Sequence, residues 1–430
     1  MTLARDPAVP RRDALLDGAA VAHALGVGGC QRTYAKYRVG ESLRVVHRTD
    51  AGSYVAGRSF ADVGAAYERA ARPGVVCAPE LDAVLWEFPN DRRIATLRLL
   101  AGPSEALDRL VGARCARVRL VAYAAERSAT AACHDADGAV IAFAKVHAGE
   151  GAERERRATE TIRAALRAGH AHLRVPHVLG CDLAAGHEQS PGAATAHVLG
   201  TGCDLAGGAA SGLGDATRAC AALALEALPG RRLDTLPLHE RERGLERLGA
   251  ALATLHGLRA PDGAAFRRFA PARLARAVGA IATARPAAGP AAAELLARLL
   301  ERRGDAAGPD VCVHGDANPR NALLDGDRVS LIDLEDVAAG PAAVDLGHVL
   351  AGLLCERAAG ALPAAAEPPL ARALLRGYAA VAPLPRPETL AWHAAATVLA
   401  RRALTAVNRV RDADLRQLDA YLRAAGALMR

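Results

Sequence analysis

Residues 311–336 read VCVHGDANPRNALLDGDRVSLIDLED. Short apolar runs (VCV, ALL, VSLI) alternate with polar clusters, which predicts strands around a hairpin turning at Asp325-Gly326-Asp327. Asp316 and Asn321 stand five residues apart before the hairpin, and Asp333-Leu334-Glu335 follows it. With a tight turn, residue 321 lies across from about residue 330 or 332, so Asp333 falls beside Asn321. HGD alone is a polar turn, and D-x-E alone is a solvated strand end. Joined at this spacing, they place a carboxylate, an amide and a second carboxylate in one cleft.

Outward from this stretch, the chain from about residue 237 to the end is helical in pattern, with 311–336 as its one interruption. Upstream, VRLVAYA, ATAACHD and VIAFAKV, within 117–147, alternate like strands around an Asp137-Gly138 turn. A helix is expected over EGAERERRATETIRAAL, with Ala158, Ile162 and Ala165 on one face. RVPHVLG and ALALEALPG read as further strands. Residues 186–219, rich in Gly, Ala and Ser, read as a long loop. The expected domains are a flexible 1–24, an N-terminal cap over 25–110, a strand-rich lobe over 111–236 and a helical lobe over 237–430.

Composition narrows the class. The 430 residues suffice for two or three domains. No apolar run is long enough to cross a bilayer, and the charged start MTLARDPAVPRRD is not a secretory signal. The net charge of +7 allows a nucleic-acid partner, but the arginines are scattered through helical segments and mixed with acids, which makes that partner unlikely. Nine cysteines without a C-x-x-C pair fit a reducing cytoplasm. His170, His172, His177 and Cys181 lack the spacing of a tetrahedral metal site and read as a helix end followed by a strand.

Phosphoryl transfer from a nucleotide needs a carboxylate that accepts the acceptor's hydroxyl proton and oxygen ligands that hold Mg²⁺ against the phosphates. Asp316, Asn321 and Asp333 meet that requirement. The stretch VCVHGDANPRNALLDGDRVSLIDLEDVAAGPAAVDLGHVL resembles the catalytic core of the aminoglycoside phosphotransferase and choline kinase-like superfamily. The resemblance covers roughly 117–430. It implies an α+β, bilobal protein-kinase-like fold and transfer of the γ-phosphoryl group of ATP or GTP to a hydroxyl of an antibiotic, sugar, amino sugar or amino alcohol. It also implies Asp316 as catalytic base and Asn321 and Asp333 as Mg²⁺ ligands, with His314 and Asp345 supporting the catalytic loop. Glu335 stands where relatives often carry an acid. An ordinary protein kinase is disfavoured, since too few residues follow Asp333 for an activation loop and no A-P-E follows. A nucleotide-binding module without catalysis would need a broken set, and Lys145, Asp316, Asn321 and Asp333 are all present.

The nucleotide side of such a site needs a strand lysine tethered by a helix glutamate. Lys145 ends VIAFAKV and is the only lysine after Lys36 in a chain whose cations are otherwise arginine. Glu155 shares the apolar helix face and is the expected partner, with Glu153 and Glu160 as alternatives. The backbone of Glu226, Ala227 and Leu228 is expected to meet the base, and the loop AAERSAT (124–130), without a Gly-rich pattern, to cover the phosphates. Asp412 and Asp414 are candidate acceptor contacts, though RDADLR reads more readily as a solvated turn.

The first hundred residues carry a faint echo of the second lobe. Tyr37 to Arg58 spans 21 residues and Tyr123 to Lys145 spans 22. LWEFPNDRRIATL echoes ALEALPGRRLDTL in its Glu, Arg-Arg and Thr-Leu spacing. The expectation is a degenerate second nucleotide lobe with Arg58 where Lys145 stands.

Overall fold

A computed structural model describes residues 3–60, 74–166, 173–183 and 220–430. The architecture is α+β and bilobal, as expected. The long loop read over 186–219 lies outside the described residues, as do His170 and His172. Among the described residues no three His, Cys, Asp or Glu side chains cluster as a metal cage, and Cys181 is exposed.

The N-terminus departs from expectation. Residues 1–24 read as flexible, yet α1 (Arg12–Leu16) and α2 (Gly18–Leu25) form, and Leu3, Val9, Leu15 and Val21 are buried. Arg12, almost fully buried, donates to the carbonyls of Ala4 (2.7 Å) and Leu3 (3.1 Å). These four apolar residues recur every six positions. That interval is no helical stripe, and the alternate positions between these residues (Arg5, Arg11, Asp13 and Asp17 among them) are mostly polar, so no strand pattern forms either.

The next segment forms an antiparallel sheet from β1 (Cys30–Arg38), β2 (Ser42–Thr49), β3 (Tyr54–Phe60), β4 (Val75–Ala78) and β5 (Ala83–Glu87), in the order β1-β2-β3-β5-β4. After α3 (Glu105–Val111), capped by the Ser104 hydroxyl, come β6 (Arg117–Ala124), β7 (Ser128–His134) and β8 (Val140–His147). The helix α4 (Gly151–Leu166) follows, then the short β9 (Leu173–Arg174), β10 (Val178–Leu183) and β11 (Cys220–Glu226). The second sheet runs β10-β11-β8-β7-β6.

Period-two alternation decides how the sheets stack. Val46, Ala56 and Trp86 of the first sheet share one core with Ala129, Ala131, Cys133, Ala142, Ala144 and Val146 of the second. The small residues of β7 and β8 let the sheets come together, and alanine composition here means close sheet packing as well as helix. On the other face of the first sheet, Tyr37, Leu43, Val45, Val55 and Leu85 pack with Leu15 of α1 and Val21 of α2.

The C-terminal lobe begins with β12 (Arg231–Arg232) and α5 (Leu238–His256), followed by α6 (Pro271–Ala284) and α7 (Gly289–Glu301). The stretch quoted first then supplies β13 (Asp310–Val313), β14 (Ala322–Asp325) and β15 (Arg328–Leu331), and β16 (Ala338–Pro341) follows to pair with β13. The hairpin is as read: Ala322 pairs with Leu331, and the Ile332 amide donates to the Asn321 carbonyl at 3.0 Å. Helices α8 (Ala343–Ala358), α9 (Glu367–Ala379), α10 (Pro387–Thr397), α11 (Leu404–Arg409) and α12 (Asp412–Leu428) complete the lobe. A π-helical segment, Val398–Ala403, joins α10 to α11. No helix among the described residues is long and apolar enough to cross a membrane.

Candidate active site

The loop between β13 and β14 is held from beneath. Asp345, fully buried at the start of α8, accepts from the amides of His314 (2.7 Å) and Gly315 (2.9 Å) and lies 3.0 Å from His256 Nε2. Burial alone would raise the Asp345 pKa; the His256 hydrogen bond and the loop amides outweigh it and keep the carboxylate ionised. The His314 ring reaches the carbonyl of Ile332 at 3.0 Å and ties the loop to the hairpin's returning strand. Gly315 has a φ of 76°, and a Cβ there would overlap the carbonyl oxygen of Asp336, so the tight turn before Asp316 needs glycine.

Asp316 is left at the rim of this loop. Asn321 donates its amide to the Asp316 carbonyl at 3.1 Å, which turns its side-chain oxygen the other way. Asp333 follows β15 with a φ of 64°, a conformation that a non-glycine residue holds only where its surroundings impose it. Its Oδ1 lies 3.1 Å from Lys145 Nζ, and the same nitrogen lies 2.6 Å from Glu155 Oε1.

The three candidate glutamates are thereby told apart. Glu155, 1% exposed, is the one beside Lys145. Glu153 pairs with Arg156 and Arg157, and Glu160 pairs with Arg156, all within α4. The reason is spacing: Glu155, Ala158, Thr159 and Ile162 recur at three and four residues and form the buried face of the helix. Burial would strip Lys145 of its proton, but Glu155 and Asp333 outweigh that and raise its pKa. Lys145 in turn holds Asp333 below the ordinary carboxylate range, while desolvation pushes Glu155 up.

Glu335 is 3.0 Å from Arg127 and 3.8 Å from His147, and desolvation raises its pKa. Arg127 belongs to the turn between β6 and β7. That turn is shorter than the 124–130 loop expected, because β6 runs to Ala124 and β7 starts at Ser128. Glu226 ends β11 and pairs with Arg174, and Ala227 and Leu228 follow half-exposed at the junction of the lobes.

Two residues beside Asp316 carry no signal in the sequence, Arg401 and His348. Arg401, in the π-helical segment, donates to the Asp316 carboxylate and to the Gly315 carbonyl (3.0 Å). Arg-Arg at 401–402 looked like any other pair in an arginine-rich helix. The wider π turn that accompanies it has no periodic signature, and such bulges often mark functional sites. His348 lies 3.6 Å from Asp316; burial and the neighbouring Arg401, Arg402 and Arg268 keep it neutral. Asp412 and Asp414 are elsewhere in their contacts: Asp414 accepts from Tyr421 at 3.3 Å, and Asp412 is exposed at the start of α12.

For a divalent cation the cleft offers the oxygen donors of Asn321, Asp333 and Glu335, and the Asp333 side chain remains 42% exposed. This fits Mg²⁺, which takes one or two carboxylates and fills its remaining positions with water and phosphate oxygens.

Residues 137–387 match the model of the phosphotransferase enzyme family, APH. The chain belongs to this family. It is a small-molecule kinase. The phosphotransferase is similar in structure to a thermostable mutant of aminoglycoside phosphotransferase APH(4)-Ia, solved with ADP and hygromycin B, at 16% identity and a TM-score of 0.49, covering 76% of this chain and 97% of that one. It is similar to a choline/ethanolamine kinase family protein from Mesorhizobium loti at 16% identity and a TM-score of 0.49, over 78% of this chain and 94% of that one. Spectinomycin phosphotransferase APH(9)-Ia, solved with ADP and spectinomycin, gives 13% identity and a TM-score of 0.49, over 75% of this chain and 96% of that one. No curated protein sequence matches the chain.

Proposed function

We propose that the phosphotransferase moves the γ-phosphoryl group of Mg-ATP onto a hydroxyl of a small molecule, with Asp316 as catalytic base. The observation that carries this reading is the chain of charge from Glu155 through Lys145 to Asp333, set against a loop that presents Asp316 and Asn321. Lys145 is a compact, permanently charged group for the donor phosphates, and Glu155 fixes where it points. The backbone from Glu226 to Leu228 lies at the junction where the base would bind. Asn321 and Asp333, with Glu335 next to them, would hold Mg²⁺, which supplies charge neutralisation at the transferred phosphoryl group. Asp316 accepts the proton as the acceptor oxygen bonds to phosphorus and the bridging oxygen leaves with ADP. Arg401 holds the orientation of the Asp316 carboxylate through its hydrogen bonds to that side chain and to the Gly315 carbonyl.

The charge around Asp316 bears on the acceptor. Arg401 and Arg402 are joined electrostatically by Arg268, and Arg320 by Arg402 and Arg411. Burial first, then Arg268 and Arg402, lower Arg401 to about 10, even though Asp316 and Asp336, the ion-pair partner of Arg268, pull the other way. Such surroundings repel a polycation, attract an anionic hydroxyl compound and leave an uncharged one without penalty. The acceptor is therefore an uncharged or acidic sugar or alcohol rather than a polycationic aminoglycoside. ADP release across a panel of neutral sugars, sugar acids, sugar phosphates, amino alcohols and aminoglycosides tests this. Turnover highest on neutral or acidic members is expected, and an aminoglycoside as best acceptor would overturn it.

A further inference from the structure

The two sheets of the N-terminal half follow one plan. In each, a three-stranded meander is followed by a strand pair whose second member lies beside the meander's third strand. The registers coincide. Arg58 pairs with Val84 while Val55 pairs with Glu87; Lys145 pairs with Leu223 while Ala142 pairs with Glu226. Lys36, Arg44 and Arg58 form one row across β1, β2 and β3, as Ala122, Thr130 and Lys145 do across β6, β7 and β8.

The first turns are anchored alike as well. The Tyr37 hydroxyl and the Gly40 amide both donate to Asp6, at 2.5 and 2.9 Å. The Tyr123 hydroxyl and the Glu126 amide both donate to Asp91, at 2.8 and 2.7 Å. In both lobes a tyrosine and the amide three residues later are gathered by a carboxylate from the preceding segment. Chance resemblance in a biased composition does not extend to register and turn anchoring together.

Arg58 therefore stands in the first sheet where Lys145 stands in the second, a place that addresses an anion. The anion it meets is Glu126, from the turn between β6 and β7. Arg58 reaches it at 2.7 Å, Arg44 at 2.9 Å and Arg92 at 2.7 Å, and the Glu126 side chain is fully buried among them. Burial alone would raise the Glu126 pKa; Arg58, Arg92 and Arg44 outweigh it and keep the carboxylate charged. Glu126 sits at positive φ, 58°, at the apex of the turn, and the next residue, Arg127, bridges to Glu335 beside Asp333.

We propose that residues 25–110 are a second copy of the nucleotide lobe, reduced to a clamp, whose phosphate-side arginines hold Glu126 as a built-in anion and so set the turn Ala125–Arg127 over the donor phosphates. Glu126 is a positioning residue: it acts through the turn and not on the substrate. The proposal rests on the reading of the cleft as the Mg-ATP site.

Calorimetric titration of Mg-ATP into the full-length protein, with thermal melts alongside, tests it without knowledge of the acceptor. Glu126→Gln should weaken Mg-ATP binding about tenfold, within the range by which one site commonly alters the affinity of another. Arg92→Ala, whose side chain is half in solvent, should weaken it in the same direction by less, and it should fold even if Glu126→Gln fails to. A role in folding alone would lower the melting temperature and leave the affinity of the folded protein unchanged. Mg-ATP affinity within about twofold of wild type in Arg92→Ala and in any folded Glu126→Gln would overturn the clamp. Wild type that fails to bind Mg-ATP would instead overturn the functional reading, and the clamp with it.

Discussion

The Lys145–Glu155 pair shows how much one contact is asked to do. Both side chains are largely out of water, so the pair is stabilising only while both members remain. Removing one partner of a buried pair commonly costs about 3–5 kcal/mol, and Asp333 at 3.1 Å from Lys145 keeps the loss toward the lower end. Glu155→Gln should leave the protein folded and lower Mg-ATP affinity about tenfold, because Lys145 then leans on Asp333 alone. Lys145→Ala should lower it further, and the KM for the acceptor should move little in either variant. Unchanged nucleotide affinity in Lys145→Ala would show that another cation serves the phosphates. At this scale the sequence was informative wherever spacing was short. Asp316, Asn321 and Asp333 could be brought together because a two-strand hairpin of known length separates them. Arg401 could not, because it arrives from 85 residues away through a helix whose local widening no pattern announces.

Among the elements, the row of cations across β1, β2 and β3 has a consequence of its own. Arg44 and Arg58 are paired with Glu126, but Lys36 at the end of the row has cations around it: Arg409, Arg127, Arg38 and Arg44. Burial first, and those arginines next, bring its pKa down to about 8 from 10.5. A lysine whose folded pKa is depressed weakens the fold at every pH where it is charged in both states. The penalty is full below about 8 and is relieved as pH rises from there toward 10.5. Lys36→Met should therefore melt higher than wild type at pH 7, and the difference should hold to about pH 8 and shrink from there up to pH 10. A difference that stays constant with pH would place the effect in packing rather than charge. The strands carrying this row were legible only as a faint echo of the second lobe, since Lys36, Arg44 and Arg58 interrupt the face on which Val46 and Ala56 meet the second sheet. The strands of the second lobe were legible because Asp137-Gly138 punctuates them. The turn 125–127 was read too long, because its anchoring by Asp91 is a contact between distant segments.

At the scale of the whole molecule, two similar sheets are stacked so that the first grips the turn of the second, and the helical lobe closes the cleft below. The helical lobe could be read from the sequence because its periodicity is regular. The packing of the N-terminal residues against the first sheet could not, because Leu3, Val9, Leu15 and Val21 stand six residues apart with mostly polar residues at the alternate positions between them, which is neither a helical nor a strand pattern. What unites these parts is one claim: Asp316 takes the acceptor's proton in a cleft that Lys145 and Asp333 prepare for Mg-ATP. ADP release in the presence of the acceptor panel, compared between wild type and Asp316→Asn at matched Mg-ATP occupancy, tests that claim most directly. The account predicts acceptor-dependent release by wild type and a loss of about 10²–10⁴-fold in Asp316→Asn, with Mg-ATP affinity unchanged. Asp316→Asn turning over at more than about a tenth of the wild-type rate would contradict it.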